Sequence, residues 1–107
     1  MTKQELLSSH AFQNARDDAI IYLAAWFDGG PLIRYVTAPK KEDQTRDCIR
    51  FCSFEPLISK IRLLANLSFR HSRGDKFLTF QYPNGWYKTK KCSINIDSDG
   101  NIVIREK

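Results

Sequence analysis

The last third of the chain alternates short apolar runs with glycine-containing turns, a pattern that allows few folds other than an antiparallel meander. The runs cover residues 76–82, 86–97 and 101–106, and the turns between them read Pro-Asn-Gly and Ser-Asp-Gly. Runs rich in β-branched and aromatic residues with such turns between them are typical of β-hairpins. We therefore expect three consecutive strands here.

The Ser-Asp-Gly turn can be assigned from its flanking side chains. A three-residue loop with Gly100 in the left-handed region pairs Ile96 with Ile102. One step further from the turn, Ile94 then pairs with Ile104. A two-residue loop would put an arginine opposite Ile94, so we reject it. The sequence predicts that all four isoleucines face the core.

The Pro-Asn-Gly turn is compatible with two registers. A three-residue loop followed by an unbroken strand places two lysines opposite core residues. A two-residue Asn84-Gly85 turn pairs Tyr82 with Tyr87 and needs a bulge near residues 90–91. We favour the second register, because burying two ammonium groups costs more than one bulge. It places six residues on the outer face of the sheet: Phe77, Thr79, Gln81, Trp86, Lys88 and Lys90.

Two helices are expected in the first half of the chain. Thr2 and Glu5 match a capping box, which predicts a helix that begins near Lys3. Apolar residues then recur on one helical face over residues 10–28. Gly29-Gly30-Pro31 is expected to end that second helix, because proline cannot continue the hydrogen-bond ladder.

Strands are expected at residues 32–37 and 48–54, paired antiparallel across a polar loop. A further helix is expected from Pro56 to about Gly74, opened by the proline at a first-turn position. Its predicted inward stripe consists of six residues: Leu57, Ile58, Ile61, Leu64, Ala65 and Ser68.

The order of these elements predicts an α+β fold. We expect two main helices packed on one face of a mostly antiparallel sheet of about five strands, in the order α-β-β-α-β-β-β. With 107 residues, the chain is expected to form one domain, residues 1–107. No internal repeat is apparent in the sequence.

The longest unbroken apolar stretch, residues 19–27, is too short to cross a membrane, and no signal peptide precedes it. These observations favour a cytoplasmic protein. Three cysteines in such a compartment favour buried thiols over a disulfide framework.

The net charge of +5 comes entirely from the second half of the chain. Residues 1–54 carry seven basic and seven acidic side chains, whereas residues 55–107 carry ten and five. Between residues 56 and 91, eight basic residues stand against one acidic residue. Such a field attracts anions such as nucleic-acid backbones or acidic protein surfaces, although it also suits a merely solvated face.

Motifs for chemistry are scarce. We find no glycine-rich phosphate loop, nucleophile elbow or metal-ligand spacing. Cys48 and Cys52 are too far apart on a strand to share one metal ion. His10 and His71 could serve as acid and base in a metal-independent ribonuclease, but nothing in their spacing requires it. We therefore predict neither enzymatic activity nor a metal or cofactor.

The basic segment with interleaved aromatic residues carries the functional prediction. We expect a small binding module whose second half holds an anionic partner, with RNA or single-stranded DNA favoured. Phe77 and Trp86 would stack on bases, while Lys88, Lys90 and Lys91 contact phosphates. Arg70, Arg73 and Lys76 would extend the same patch.

Two alternatives stay open. An inhibitor or immunity-type protein, such as those carried by phages, would use the same surface to block an acidic face of one cognate protein. A ribonuclease toxin would depend on His71.

Overall fold

The computed structural model describes five stretches of the chain: residues 1–27, 30–51, 58–82, 85–88 and 91–106. Within them, the side chains are not described at residues 25–27, 30–35, 43, 82, 85–88 and 106. The fold is mixed α+β, as predicted. The described stretches contain four short α-helices: α1 (Lys3–Ser8), α2 (His10–Asn14), α3 (Lys60–Ala65) and α4 (Leu67–Arg70). The same stretches contain seven strands: β1 (Ile21–Phe27), β2 (Gly30–Tyr35), β3 (Cys48–Phe51), β4 (Phe77–Tyr82), β5 (Gly85–Lys88), β6 (Cys92–Ile96) and β7 (Ile102–Glu106).

The described strands form two sheets instead of the single sheet of about five strands that we expected. A four-stranded sheet has the order β2-β1-β7-β6, and a three-stranded sheet has the order β3-β4-β5. β1 runs parallel to β7 and β3 runs parallel to β4, while the remaining pairs are antiparallel. The predicted antiparallel pairing of residues 32–37 with 48–54 is wrong, since β2 and β3 lie in different sheets.

The two helix pairs are built in the same way, 57 positions apart, which is the separation from Thr2 to Ser59. Thr2 and Ser59 each cap a helix by accepting from the amide three residues on. The second helix of each pair is capped by Ser9 or Asn66. Residues 2–14 and 59–71 nevertheless share only four of thirteen residues, which are lysine, two leucines and phenylalanine. The sequence shows no apparent repeat because the repeat is one of helix caps and backbone contacts, with little identity of residues.

The same offset relates the contacts that join the two segments. The amide of Lys3 donates to the carbonyl of Lys76, and the amide of Lys60 donates to the carbonyl of Ala19, both at 2.9 Å. Isolated bridges link Thr2 with Phe77 and, equivalently, Ile20 with Ser59. We refer to α1, α2 and β1–β3 as the first repeat and to α3, α4 and β4–β7 as the second repeat.

A buried lysine begins the first helix of each repeat and closes a helix of the other. The ammonium of Lys3 donates to the carbonyls of Phe69, Arg70 and Ser72 at 2.6, 3.3 and 2.8 Å, at the end of α4. The ammonium of Lys60 donates to carbonyls of Gln13 and Ala15 at 3.2 and 3.0 Å, at the end of α2. Each ammonium also lies over the phenylalanine ring of the helix that it closes. A cation satisfies the terminal carbonyls and complements the helix dipole.

The repeats are interlocked through their sheets. β3 of the first repeat pairs with β4 of the second, and β7 of the second pairs with β1 of the first. One core cluster therefore contains residues of both sheets and of all four helices. Its fully buried members include the equivalent pairs Leu6 and Leu63, Ile21 and Leu78, and Leu23 and Phe80.

The helix predicted over residues 10–28 is wrong beyond its first turns. α2 ends at Asn14, and β1 occupies residues 21–27. β1 is paired at both edges, and its apolar residues run without a break, although among the described side chains only the alternate residues Ile21 and Leu23 are fully buried. Such a run can also match a helical periodicity, so the pattern alone could not separate the two.

The helix predicted over residues 56–74 is present in part, as α3 and α4 with a break at Asn66. Its inward stripe was largely misassigned. Ile58 is buried as expected, but the helices bury Leu63 and Phe69, while Ile61, Leu64 and Ala65 are exposed. Ile61, Leu64 and Ala65 all precede the break at Asn66, so the predicted stripe lay on the wrong face of α3 itself, which begins at Lys60 with Ser59 as its cap. Leu57 lies outside the described residues.

The two predicted turns had different outcomes. Gly100 has φ +83°, and the register pairs Ile96 with Ile102 and Ile94 with Ile104, as predicted. Of these four isoleucines, however, Ile96 is 40% exposed because it lies beside the turn on an edge strand.

At the other turn, Tyr82 pairs with Gly85, so neither predicted register is correct. Trp86 pairs with Gln81 and Lys88 with Thr79, which keeps the lysine position away from Leu78 and Phe80, as the burial argument required. The burial argument decides only which face of the sheet a residue lies on, so it does not distinguish registers that differ by two residues. The strand expected over residues 86–97 is divided between β5 and β6, which lie in different sheets.

Candidate functional site

A groove lies beside α4, at the point where the two repeats differ most. Next to α2, the strand β6 packs against the helix and pairs with β7. At the corresponding place beside α4, a segment with a 3-10 helix (Lys41–Asp43) precedes β3. The space that remains has a volume of about 870 Å³. Nine residues line this groove: Lys41, Gln44, Arg46, Leu67, Ser68, His71, Ser72, Arg73 and Lys76.

The groove stays open because the segment before β3 hydrogen-bonds to β3 through side chains, whereas β6 pairs with β7 as a strand. Gln44 Oε1 accepts from the amide of Arg50 at 3.1 Å, and Thr45 Oγ1 accepts from the amide of Cys48 at 3.0 Å. These two bonds satisfy donors on the outer edge of β3 without a further strand. The segment therefore protects the edge and leaves the flank of α4 accessible.

Among the described side chains, the groove is lined by four Lys or Arg residues and by no carboxylate. Arg73 donates from Nε to Asp75 Oδ1 at 3.1 Å and from Nη2 to the carbonyl of Arg46 at 3.2 Å. Lys76 Nζ donates to the carbonyl of Thr45 at 3.0 Å. Within the described part of the chain, the side chains of Lys41 and Arg46 have no ion-pair partner. Two cations are thus held in place and two are free to meet a ligand.

The buried ammonium of Lys3 changes the electrostatics of the groove, because it binds the carbonyls at the end of α4. The last carbonyls of a helix carry partial negative charge, which would oppose an anion near His71 and Ser72. The buried Lys3 ammonium binds three of these carbonyls. Burial lowers the pKa of Lys3 from its ordinary value. The end of α4 is therefore a more favourable neighbour for an anion than an uncapped helix end.

The structure brings together two of the predicted binding residues, Arg73 and Lys76, in this groove. Arg70 is exposed at the end of α4, although it is not among the lining residues. Phe77 follows Lys76 directly, begins β4 and is 37% exposed. These four residues lie within one short stretch between α4 and β4.

The remaining predicted residues lie elsewhere. Trp86 and Lys88 are on β5, at the opposite edge of the three-stranded sheet from β3. Their side chains, and all of Lys90, lie outside the described residues. Lys91 is exposed immediately before β6, on the other sheet. The single patch expected from the sequence therefore occupies separate places in the fold.

Sequence reasoning missed Lys41, Arg46 and Leu67 as lining residues. Lys41 and Arg46 belong to a polar loop whose acidic and basic residues balance, so a count of net charge along the chain passes over them. Leu67 follows the break at Asn66, which the assumption of one continuous helix hid. The break is marked by asparagine, a good N-cap residue, and this was the available signal.

Among the described residues, no group of three His, Cys, Asp or Glu side chains is placed to hold a metal ion. Of the two histidines, His71 lines the groove and His10 does not. No helix in the described ranges has the length and apolar character needed to cross a membrane.

Comparison of the chain with protein-family models, with curated proteins and with solved structures gives no match.

Proposed function

We propose that the protein is a non-enzymatic binding module that holds a nucleic acid, RNA or single-stranded DNA, through the groove beside α4. The observation that carries this proposal is the lining of four cationic side chains, with no carboxylate among the described residues that line the groove. A backbone phosphate that enters the groove meets Lys41 and Arg46, which have no ion-pair partner among the described residues. Replacing counterions on phosphates with such side chains is the main source of affinity for nucleic acids.

The positions of the cations suit an extended polymer better than a single small anion. Lys41 and Arg46 come from the segment before β3, whereas Arg73 and Lys76 come from the segment after α4. Charges on two facing walls can contact successive phosphates of a flexible strand. The exposed ring of Phe77, next to Lys76, offers a surface for base stacking. In this proposal Trp86 adds a second stacking ring, and Lys88, Lys90, Lys91 and Arg70 extend the phosphate contacts.

The test is a titration of labelled single-stranded RNA and DNA, followed by fluorescence anisotropy at several salt concentrations. We expect affinity to fall steeply with salt. The double variant Lys41→Gln/Arg46→Gln should weaken binding by about tenfold or more and lower the salt slope by roughly two, because each lost phosphate contact removes about one unit. Arg73→Gln should lower the slope by about one.

The first repeat supplies a matched control. Arg16 and Asp18 form the same ion pair as Arg73 and Asp75, 57 positions earlier, but Arg16 does not line the groove. Arg16→Gln removes the same charge from the chain, so its binding should change little. Absent binding, salt-independent binding, or equal losses for the Arg16 and Arg73 variants would each refute the proposal.

A further inference from the structure

Three exposed apolar side chains on α3 and α4 form what we call the apolar stripe. Ile61 is 50% exposed, Leu64 is 37% exposed and Leu67 is 65% exposed. Ile61 and Leu64 are three apart on α3, which makes them neighbours on one helical face, and Leu67 is the first residue of α4, beyond the extended Asn66 that ends α3. Adjacent exposed apolar side chains mark interaction sites more often than scattered single ones do.

The first repeat shows that folding does not require apolar residues at these positions. The counterparts of Ile61 and Leu67 are Gln4 and His10, both polar and exposed. The counterpart of Leu64 is Leu7, which is partly buried against the core. The same helices with the same caps are therefore compatible with polar residues at two of the three positions. Apolar side chains at these positions in the second repeat call for a role other than folding.

The charges around the stripe indicate the chemistry of what covers it. Residues 58–74 contain no Asp or Glu, and Arg62 and Arg70 are exposed on the same two helices. Leu67 also lines the groove, so the stripe continues directly into the groove cations. A second copy of the chain would bring these positive charges face to face, which is unfavourable. An acidic partner would be attracted by them.

We propose that Ile61, Leu64 and Leu67 dock an acidic amphipathic segment of a partner protein. The apolar side chains of the segment cover the stripe, and its carboxylates meet Arg62, Arg70 and the cations at the mouth of the groove. Apolar anchors surrounded by complementary charge are the usual anatomy of such interfaces. This inference does not depend on nucleic-acid binding, because Ile61 and Leu64 lie outside the lining of the groove.

The test starts with a displayed library of short randomised peptides selected on the purified full chain. The counter-selection uses the double variant Ile61→Gln/Leu67→His, in which these two positions carry the residues of the first repeat. We expect this variant to fold, and circular dichroism would verify it. We expect enriched peptides with a net negative charge and apolar residues at helical spacing. A synthetic peptide of the most enriched sequence should bind the wild type at least about tenfold more tightly than the double variant.

A matched control tests whether the position matters. His10→Gln changes the exposed residue of the first repeat that corresponds to Leu67, and peptide affinity should be unchanged. Selection that yields no peptide dependent on Ile61 and Leu67, or peptides without an excess of Asp and Glu, would overturn the proposal. So would sedimentation equilibrium that finds a dimer of the wild type that the double variant abolishes, since the stripe would then belong to a second copy.

The two proposals can fail separately. The single variant Ile61→Gln changes a residue outside the groove lining and keeps every groove cation, so it should bind RNA as the wild type does while its peptide affinity falls. The variant Lys41→Gln/Arg46→Gln keeps the stripe. Loss of peptide binding in the first and of RNA binding in the second identifies two functions on adjoining surfaces.

Discussion

The two repeats share a frame and differ in what lies against it. Both have capped helix pairs, a buried lysine that closes a helix of the other repeat, and a parallel strand received from the other repeat. Among the described strands, a further strand, β6, lies on the outer side of β7, whereas β3 forms the edge of its sheet. The flank of α2 is therefore covered by β6, whereas the flank of α4 borders an open groove.

This difference separates what the fold needs from what it does not. Features present in both repeats, such as the lysine, the leucines and the phenylalanine, have a structural explanation in each place. The exposed apolar stripe and Lys76 have no equivalent in the first repeat, whereas Arg73 has a basic counterpart in Arg16. The other two groove cations, Lys41 and Arg46, belong to the first repeat, so we place the interactions with partners along α4 and the segments that meet beside it.

The largest effect that tests the shared frame concerns the buried lysines. Lys3 binds three carbonyls and Lys60 binds two. We expect Lys3→Met to lower the free energy of unfolding by about 2 kcal/mol and Lys60→Met by about 1 kcal/mol, because methionine keeps the stem but leaves the carbonyls without a donor. Urea unfolding monitored by circular dichroism measures both. A larger loss for Lys60 would contradict the equivalence of the two contacts.

The Lys3 contact also has a pH signature. Burial lowers the pKa of Lys3 below its ordinary value of 10.5. Between the lowered pKa and 10.5, the unfolded chain binds more protons than the folded chain, so the free energy of unfolding rises with pH in that window. The variant Lys3→Met should lack this rise, and one that retained it would show that another group is responsible.

An intermediate effect tests the turn that holds β6 beside β7. Asp97 accepts from the hydroxyl of Tyr22 at 2.8 Å and from the amides of Asp99 and Asn101 at 2.9 and 2.8 Å. The Tyr22 hydrogen bond, followed by the backbone amides, holds the pKa of Asp97 below its ordinary value of 3.8. The carboxylate therefore contributes stability above 3.8 that is lost as the pH falls through the lowered pKa.

The variant Asp97→Asn should remove this acid-side loss, which thermal unfolding at a series of acidic pH values would detect. Asp99→Asn, on the same turn, is the control and should retain the loss. If both variants lose stability with acid as the wild type does, the Tyr22 contact does not anchor the turn.

The smallest expected effect concerns the two surface ion pairs. Arg16 with Asp18 and Arg73 with Asp75 are largely exposed pairs with N–O distances of 3.2 and 3.1 Å. Arg16→Gln and Arg73→Gln should each change the free energy of unfolding by no more than about 0.5 kcal/mol. Equal small changes in stability, together with unequal changes in RNA affinity, would show that the repeats differ in binding and not in folding. A large loss of stability for Arg73→Gln alone would contradict this, because the repeats would then differ in folding as well.

Local signals were sufficient for some elements. The start of α1 followed from Thr2 and its capping, and the turn at Gly100 followed from the need to pair isoleucines. Both depend on residues within a few positions of one another. In contrast, the strand β1 was predicted as a helix. Its pairing partners are β2, which follows it across a turn, and β7, which is distant in the sequence, and its own apolar run identifies neither of them.

The candidate site was likewise predictable only in part. Arg73 and Lys76 stand in a segment with an excess of positive charge, so their contribution to an anion-binding surface could be expected. Lys41 and Arg46 face them only because Gln44 and Thr45 bind the edge of β3 and hold the segment there. No pattern within residues 41–46 predicts that arrangement.

By itself, the sequence determined the α+β composition, the cap of α1 and the glycine turn, since these depend on local backbone preferences and short-range hydrogen bonds. The tertiary structure decided the pairing of strands between repeats, the exposure of Ile61 and Leu67, and the meeting of four cations in one groove. These depend on burial and on contacts between distant segments, and burial is a property of the packed chain that no single stretch of residues carries.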